Sequence, residues 1–201
     1  MSLRKKAIAL ILIILISDQV LKIWIKTNMV IGQDFPIFGS WSFIYFIENN
    51  GMAFGMELGG KIGKLFLSLF RIVTIAGIGW MLNSGINKKA HIGLILAGSA
   101  IFAGAIGNMI DSAFYGMIFS ESYFQPATMF PPGGGYSSFL HGRVVDMFYF
   151  PIIDTHFPDW SPIKAGEPLI FFRPVFNIAD SAITCGVISI LLFQKRMFKD
   201  G

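Results

Sequence analysis

The sequence is poor in the residues on which most soluble enzymes depend. Only 14% of its 201 residues are charged and 54% are hydrophobic, which excludes an ordinary water-soluble domain. The single cysteine, Cys185, excludes an internal disulfide. The three histidines, His91, His141 and His156, are scattered without metal-ligand spacing, so we predict no metal and no cofactor. The net charge of +4 is a weak signal for nucleic acid, and we predict no such partner.

Long apolar runs are what the sequence has instead. They cover residues 7–25, 62–82, 92–110 and 175–193. Each is close to the roughly 20 residues that a helix needs to cross a bilayer. We therefore predict an α-helical integral membrane protein with four transmembrane helices. Residues 1–201 are expected to form a single membrane-embedded domain, because no segment has the composition of a second core.

Basic residues at the ends of these runs set the predicted topology. They cluster at residues 4–6, 88–89 and 195–199, and positively charged ends face the cytoplasm. Both termini are therefore expected in the cytoplasm, with residues 26–61 and 111–174 outside. The first outer segment is rich in β-branched and aromatic residues, which predicts a small extracytoplasmic β-rich cradle. The second is predicted to be a long outer loop.

Carboxylates collect at the outer side in this topology. Asp18, Asp111 and Asp180 lie in or beside the apolar runs, and Asp146 lies in the outer loop. Because charge in a hydrocarbon setting is costly, such acids indicate a functional site. Lys22 follows Asp18 by one helical turn. This pair either neutralises itself for burial or contacts the substrate or the catalytic groups.

The other polar motifs have both a structural and a functional interpretation. Asn49 begins a glycine-rich turn, which is a plain turn or supplies an amide to a bound peptide. Asp111, close to Asn108, ends the third run, where the helix dipole disfavours negative charge, and this favours a functional role. Asn177 is placed to cap the fourth helix, with Asp180 in its first turn, and capping alone would account for both.

Taken in chain order, five motifs resemble the lipoprotein signal peptidase (signal peptidase II) family, polytopic aspartic endopeptidases of bacterial membranes. The resemblance spans nearly the whole chain, and the shared order makes it specific. The matching elements are Asp18-Gln19 with Lys22, Asn49 with residues 51–54, Gly107-Asn108 with Asp111, Gly142 with Val144-Val145-Asp146, and Phe176-Asn177 with Ala179-Asp180.

The resemblance implies an enzyme that removes the signal peptide from a prolipoprotein by cutting before a cysteine that already carries diacylglycerol. It implies that Asp146 and Asp180 are the catalytic pair. The supporting or substrate-binding positions that it implies are Asp18, Lys22, Asn49, Asn108, Asp111 and Asn177. Two carboxylates at close range share one proton, so one acts as general base on a water molecule and the other as general acid.

The chain departs from the family pattern at Ser112, where the family usually has an arginine. We hypothesise that Arg71, within the second run, or Arg143, just before Val144, supplies the missing cation. The stretches that include residues 119–140 and 151–172 are longer than is typical of the family. The sequence gives no role for them.

Two other functions fit isolated features of the sequence. A small proton-coupled membrane transporter would use the acids as a relay, although the inner halves of the runs hold almost no ionisable residues. A non-enzymatic scaffold would use the acids only to anchor loops. For the peptidase we expect a bacterial cytoplasmic (inner) membrane location with the site facing outward. Its expected partners are a lipid-modified prolipoprotein and membrane lipids, and we expect a monomer.

Overall fold

The structure, a computed structural model, describes residues 1–39, 41–50, 60–157, 160, 166–171 and 173–198. Among these residues, four helical segments are long and apolar enough to cross a membrane, as predicted. They are α1 (Leu3–Asn28), α2 (Gly60–Asn87), α3 (Ile92–Ile110) with its continuation, and α5 (Ile178–Met197). The continuation of α3 is a π-helical turn (Asp111–Tyr115) followed by the short α4 (Gly116–Ile118).

Strands within residues 34–49 and 144–176 form two small antiparallel sheets, and the prediction of a small β-rich region beside the helices is confirmed. The first sheet has the order β1 (Asp34–Phe38), β2 (Ser42–Asn49), β3 (Val144–Tyr149) and β6 (Val175–Phe176). The second pairs β4 (Ile153–His156) with β5 (Pro168–Phe171). The predicted long outer loop therefore contributes β3, β4 and β5. The glycine-rich turn after Asn50 lies outside the described residues.

The predicted start of the fourth helix is wrong. Val175 and Phe176 belong to β6, which pairs with β3, and the helix begins only at Ile178. Asn177 sets this boundary, because its side chain accepts a hydrogen bond from the Asp180 amide at 2.9 Å. The Asp180 carboxylate in turn accepts one from the Asn177 amide at 3.4 Å. This reciprocal capping box fixes both side chains at the start of α5.

The third α-helix ends at Ile110, as predicted, but it does not end the helical structure at Asp111. Helical structure continues to Ile118, so the unfavourable dipole position inferred for Asp111 does not exist. The π turn leaves the backbone carbonyl of Ser112 to accept a hydrogen bond from the amide of Gly142 at 2.8 Å. A Cβ at Gly142 would lie 2.1 Å from the Asp111 carbonyl oxygen. The chain can therefore pass this close to the helix, on its way into β3, only with glycine at this position.

Helix α3 is the centre of the bundle and packs against α1, α2 and α5. Glycine permits its close approach to α5, since a Cβ at Gly104 would lie 2.2 Å from the carbonyl oxygen of Ala179. Gly107, one turn later, faces α1, and a Cβ there would lie 2.8 Å from Asp18 Oδ2. Small residues on α3 thus bring the polar ends of α1 and α5 within hydrogen-bonding range of each other.

Candidate active site

The two predicted catalytic acids are connected by two asparagines. Asp180, in the first turn of α5, accepts a hydrogen bond from Asn108 Nδ2 at 2.7 Å. Asp146, on β3 and only 2% exposed, accepts one from Asn177 Nδ2 at 2.6 Å. Asn177 Nδ2 also lies 3.1 Å from Asn108 Oδ1. A continuous chain of polar contacts therefore links the carboxylates of Asp146 and Asp180.

The environment of Asp146 favours its protonated form. Burial, followed by the negative charge of Asp180, raises the pKa of Asp146 to about 7. The charge of Lys22 and hydrogen bonds from Asn49 and Asn177 act in the opposite direction. The contact with Asn49 Nδ2 is 3.4 Å long. Asp146 can therefore hold a proton near neutral pH, as one member of an acid–base pair must.

Lys22 joins the other predicted acids into one buried cluster. Its Nζ lies 2.9 Å from Asp18 Oδ2 and 2.8 Å from Asp111 Oδ2, and all three side chains are at most 1% exposed. It also donates to Asn108 Oδ1 at 2.8 Å. The Asp18–Lys22 pair thus neutralises itself for burial, as the first interpretation has it, and Lys22 also contacts the amide that binds Asp180. Contact of the pair with substrate stays a prediction.

Asp18 and Asp111 each hold the backbone next to one of the paired acids. Asp18 Oδ1 accepts a hydrogen bond from the amide of Ala179 at 2.9 Å. Asp111 Oδ2 accepts one from the amide of Val145 at 3.2 Å. These amides belong to the residues immediately before Asp180 and Asp146. The cluster around Lys22 therefore fixes the positions of α5 and β3 relative to each other.

Gln19 is a member of this cluster to which the sequence interpretation assigned no role. Its Nε2 lies 3.1 Å from Asp18 Oδ2 and 3.0 Å from Asp111 Oδ1. Its Oε1 accepts a hydrogen bond from Tyr115 at 3.2 Å. Gln19 precedes Lys22 by three residues, and residues with this spacing share a helix face. This spacing was the signal that could have identified it.

The two candidate cations lie in different surroundings. Arg71 Nη1 donates to Ser112 Oγ at 3.3 Å, and the charges of Asp180, Asp111 and Asp146, in that order, act on its guanidinium. Arg143 instead forms ion pairs of 2.7 Å with both Glu48 and Glu121. Of the two candidates, Arg71 and not Arg143 therefore contacts Ser112.

Apart from the two arginines, all predicted site residues take part in one network of hydrogen bonds and ion pairs: Asp18, Lys22, Asn49, Asn108, Asp111, Asp146, Asn177 and Asp180. Within the described residues, no group of three or more His, Cys, Asp or Glu side chains is placed to hold a metal ion. The arrangement offers carboxylates, amides and cations, which suits acid–base chemistry on a carbonyl compound.

Comparison with known proteins identifies the relatives of this chain. It matches the family model described as Signal peptidase (SPase) II over residues 10–196. The lipoprotein signal peptidase of Porphyromonas gingivalis is 52% identical over 193 residues, which cover 96% of this chain and 84% of the relative. That of Amoebophilus asiaticus is 35% identical over 187 residues, covering 92% and 75%. A solved structure described as a bacterial membrane enzyme at 1.9 Å resolution aligns with a TM-score of 0.60 at 28% identity, covering 94% of this chain and 91% of that one.

The four membrane-spanning helices and these relatives define the class of protein, a membrane aspartic endopeptidase. The chain belongs to the signal peptidase II family, since the family model matches most of its length. The comparisons support this activity and not the proton-coupled transporter that the intramembrane acids also suggested.

Proposed function

We propose that this enzyme removes the signal peptide from diacylglyceryl-modified prolipoproteins, cutting before the lipidated cysteine, and that Asp146 and Asp180 perform the reaction. The names of its relatives support the substrate class. The observation that carries the catalytic assignment is the bridge between the two carboxylates through Asn108 and Asn177. The acyl chains of the substrate stay in the bilayer while the peptide enters between the helices.

The two acids have different roles in the proposed mechanism. Asp180 lies in the first turn of α5, where the helix dipole favours a negative charge, and it acts as the base. Asp146 holds the proton at rest, since burial and the charge of Asp180 raise its pKa to about 7. Asp180 takes a proton from water as the water oxygen attacks the scissile carbonyl, and Asp146 donates its proton to the carbonyl oxygen. Asp180 then gives its proton to the leaving nitrogen while Asp146 takes one back from a hydroxyl of the tetrahedral intermediate, and the C–N bond breaks.

The proposed location is the bacterial cytoplasmic membrane, with the site on the extracytoplasmic side and the enzyme acting as a monomer in contact with lipid. The site residues of α1 lie in its C-terminal half, and those of α5 lie at its N-terminus. The N-terminal end of α1 and the C-terminal end of α5 therefore lie away from the site. Basic residues at 4–6 and 195–196 support a cytoplasmic position for those ends.

Mass spectrometry of the products would test the proposed reaction. The purified enzyme is incubated in detergent with a prolipoprotein peptide that carries diacylglyceryl-cysteine, beside the same peptide with an unmodified cysteine. We expect cleavage on the amino side of the lipidated cysteine and little cleavage of the unmodified peptide. Equal cleavage of both peptides, or cleavage at another bond, contradicts the proposed specificity.

We further propose that Arg71 supplies the cation that Ser112 does not, and pH dependence tests this. Cleavage, measured as kcat/KM, is expected to fall as the pH rises through about 7, because Asp146 then loses its proton. The charge of Arg71 favours ionised carboxylates, so its removal in Arg71→Ala raises the pKa of Asp146. The alkaline limb of the pH profile, where kcat/KM falls with rising pH, should therefore move to higher pH by about one unit.

The Arg71→Lys variant is the matched control, because it keeps the charge and loses only the planar guanidinium. Its alkaline limb should stay near that of the wild type. An unchanged limb in a folded Arg71→Ala enzyme rules out Arg71 as the compensating cation.

A further inference from the structure

A second buried ionic cluster lies beyond the site, and the proposed mechanism does not use it. It consists of Lys26 near the end of α1, Glu48 on β2 and Arg143 just before β3. The side chains of Lys26 and Glu48 are at most 1% exposed, and that of Arg143 is 18% exposed. Lys26 forms an ion pair with Glu48 Oε1, and Arg143 Nη1 lies 2.7 Å from Glu48 Oε2. Each oxygen of one carboxylate thus has its own cation.

This cluster is covered by residues 119–140, one of the two stretches to which the sequence gave no role. Ser122 Oγ accepts a hydrogen bond from Lys26 Nζ at 3.0 Å, and the amide of Ala127 donates to the Lys26 carbonyl at 2.9 Å. The Tyr136 hydroxyl accepts one from the amide of Arg143 at 2.7 Å. The Tyr136 ring lies 4.8 Å from Lys26 Nζ and 4.5 Å from Arg143 Cζ. This cover keeps water from the Lys26–Glu48 ion pair, whose side chains are at most 1% exposed, and strengthens it.

The pairing of β2 with β3 places the cluster next to Asp146 in the sheet. Strand pairing aligns Glu48 with Val145 and Asn49 with Val144, directly after Arg143. Asn49, next to Glu48, donates to Asp146 Oδ2 at 3.4 Å. A buried ion pair is weak evidence for stability in itself, since desolvation offsets most of its attraction, but it can specify one arrangement over others. Here the arrangement specified is the pairing of β2 with β3.

We propose that Lys26, Glu48 and Arg143 form a positioning cluster that holds β2 in register with β3 and thereby holds Asn49 against Asp146, with residues 119–140 as its cover. This inference rests on the proposed function, in which Asp146 takes part in the reaction. The three residues do not touch the carboxylate of Asp146 in the structure. They act through the backbone register and the amide of Asn49.

The pH dependence of cleavage reports this positioning. Asp146 interacts with Asp180 from α5, Lys22 from α1 and Arg71 from α2. None of these groups changes when the cluster is altered. The Asn49 hydrogen bond opposes the effects of burial and Asp180 on the pKa of Asp146. If β2 shifts and Asn49 moves away, the pKa of Asp146 rises, and the alkaline limb of kcat/KM moves to higher pH.

A double-mutant cycle tests the proposal. Glu48→Gln and Asn49→Ala should each move the alkaline limb upward by about half a unit, the size expected for the loss of one hydrogen bond. The double variant should move it no further than Asn49→Ala alone, because both changes remove the same contact. Glu121→Gln is the matched control, since Glu121 pairs with the same Arg143 but is 47% exposed. Its limb should match that of the wild type.

The outcomes separate positioning from simple stabilisation. A Glu48→Gln enzyme with a lower melting temperature and an unmoved limb overturns the proposal, as do shifts that add fully in the double variant. If Glu48→Gln does not fold, Lys26→Met with Glu48→Met removes both charges together and leaves no buried charge unpaired. The same upward shift is then expected, and a wild-type limb overturns the proposal. An active Asp146→Asn enzyme would instead refute the proposed function, so the two failures are distinguishable.

Discussion

Replacing Asp146 or Asp180 by asparagine should lower the rate of cleavage by about 10²–10⁴-fold, the usual contribution of a general acid or base. Asparagine has nearly the same shape as aspartate, but it neither takes a proton from water nor supplies one to the substrate. The hydrogen bonds from Asn177 and Asn108 end on carboxylate oxygens, and an amide oxygen can accept them. The loss should therefore be chemical, with the fold retained.

Single-turnover cleavage of the lipidated peptide measures this effect without interference from product release. The double variant should be little slower than either single one, because residues that act as a unit show non-additive losses. Asp34→Asn is a suitable control, since Asp34 is exposed on β1, and it should cleave at the wild-type rate. Substantial activity in either folded single variant would falsify the assignment of the pair and favour a role in anchoring loops.

Replacing Lys22 by methionine should produce the largest loss of stability. Methionine retains much of the buried volume but leaves the carboxylates of Asp18 and Asp111 buried without their cation. Removal of one partner from a buried ion pair typically costs about 3–5 kcal/mol. The amides of Ala179 and Val145 depend on these carboxylates, so the junction of α5 and β3 should loosen as well.

Unfolding in detergent micelles, followed by heat or denaturant, measures the free energy of unfolding. Lys5→Met is the control, since Lys5 is exposed on the same helix, and it should change that free energy by no more than about 0.5 kcal/mol. Adding Asp18→Asn to Lys22→Met should recover part of the loss by removing one uncompensated charge. A Lys22→Met protein as stable as the wild type would show that the cluster is solvated rather than buried.

Hydropathy was sufficient to predict the four helices, because an apolar run of spanning length is a local property of the chain. It did not give every helix end correctly. The boundary at Asn177 depends on a capping box and on the pairing of β6 with β3. The helical continuation past Asp111 depends on the loop at Gly142, which binds a carbonyl of the π turn. Such tertiary contacts override local pattern at the ends of elements.

The sequence was sufficient to select residues of the candidate site, but not to predict which of them contact each other. Charged residues in apolar helices are costly and therefore conspicuous, which is why Asp18, Lys22 and Asp180 could be selected. Lys22 and Lys26 are four residues apart and share one face of α1, yet the two lysines belong to separate clusters. The choice of partner depends on which strand or helix arrives opposite each turn of α1.

The sequence by itself determined the membrane class, the number of spanning helices and which acidic residues are candidates for a role in the reaction. Each of these follows from the cost of placing polar groups in hydrocarbon. Only the tertiary structure decided that Asn108 and Asn177 join Asp146 to Asp180. It likewise decided that Arg71 rather than Arg143 reaches Ser112. Hydrogen bonds and ion pairs form over about 3 Å, so they depend on how closely the helices approach, and that approach is set at contacts such as Gly104 against Ala179.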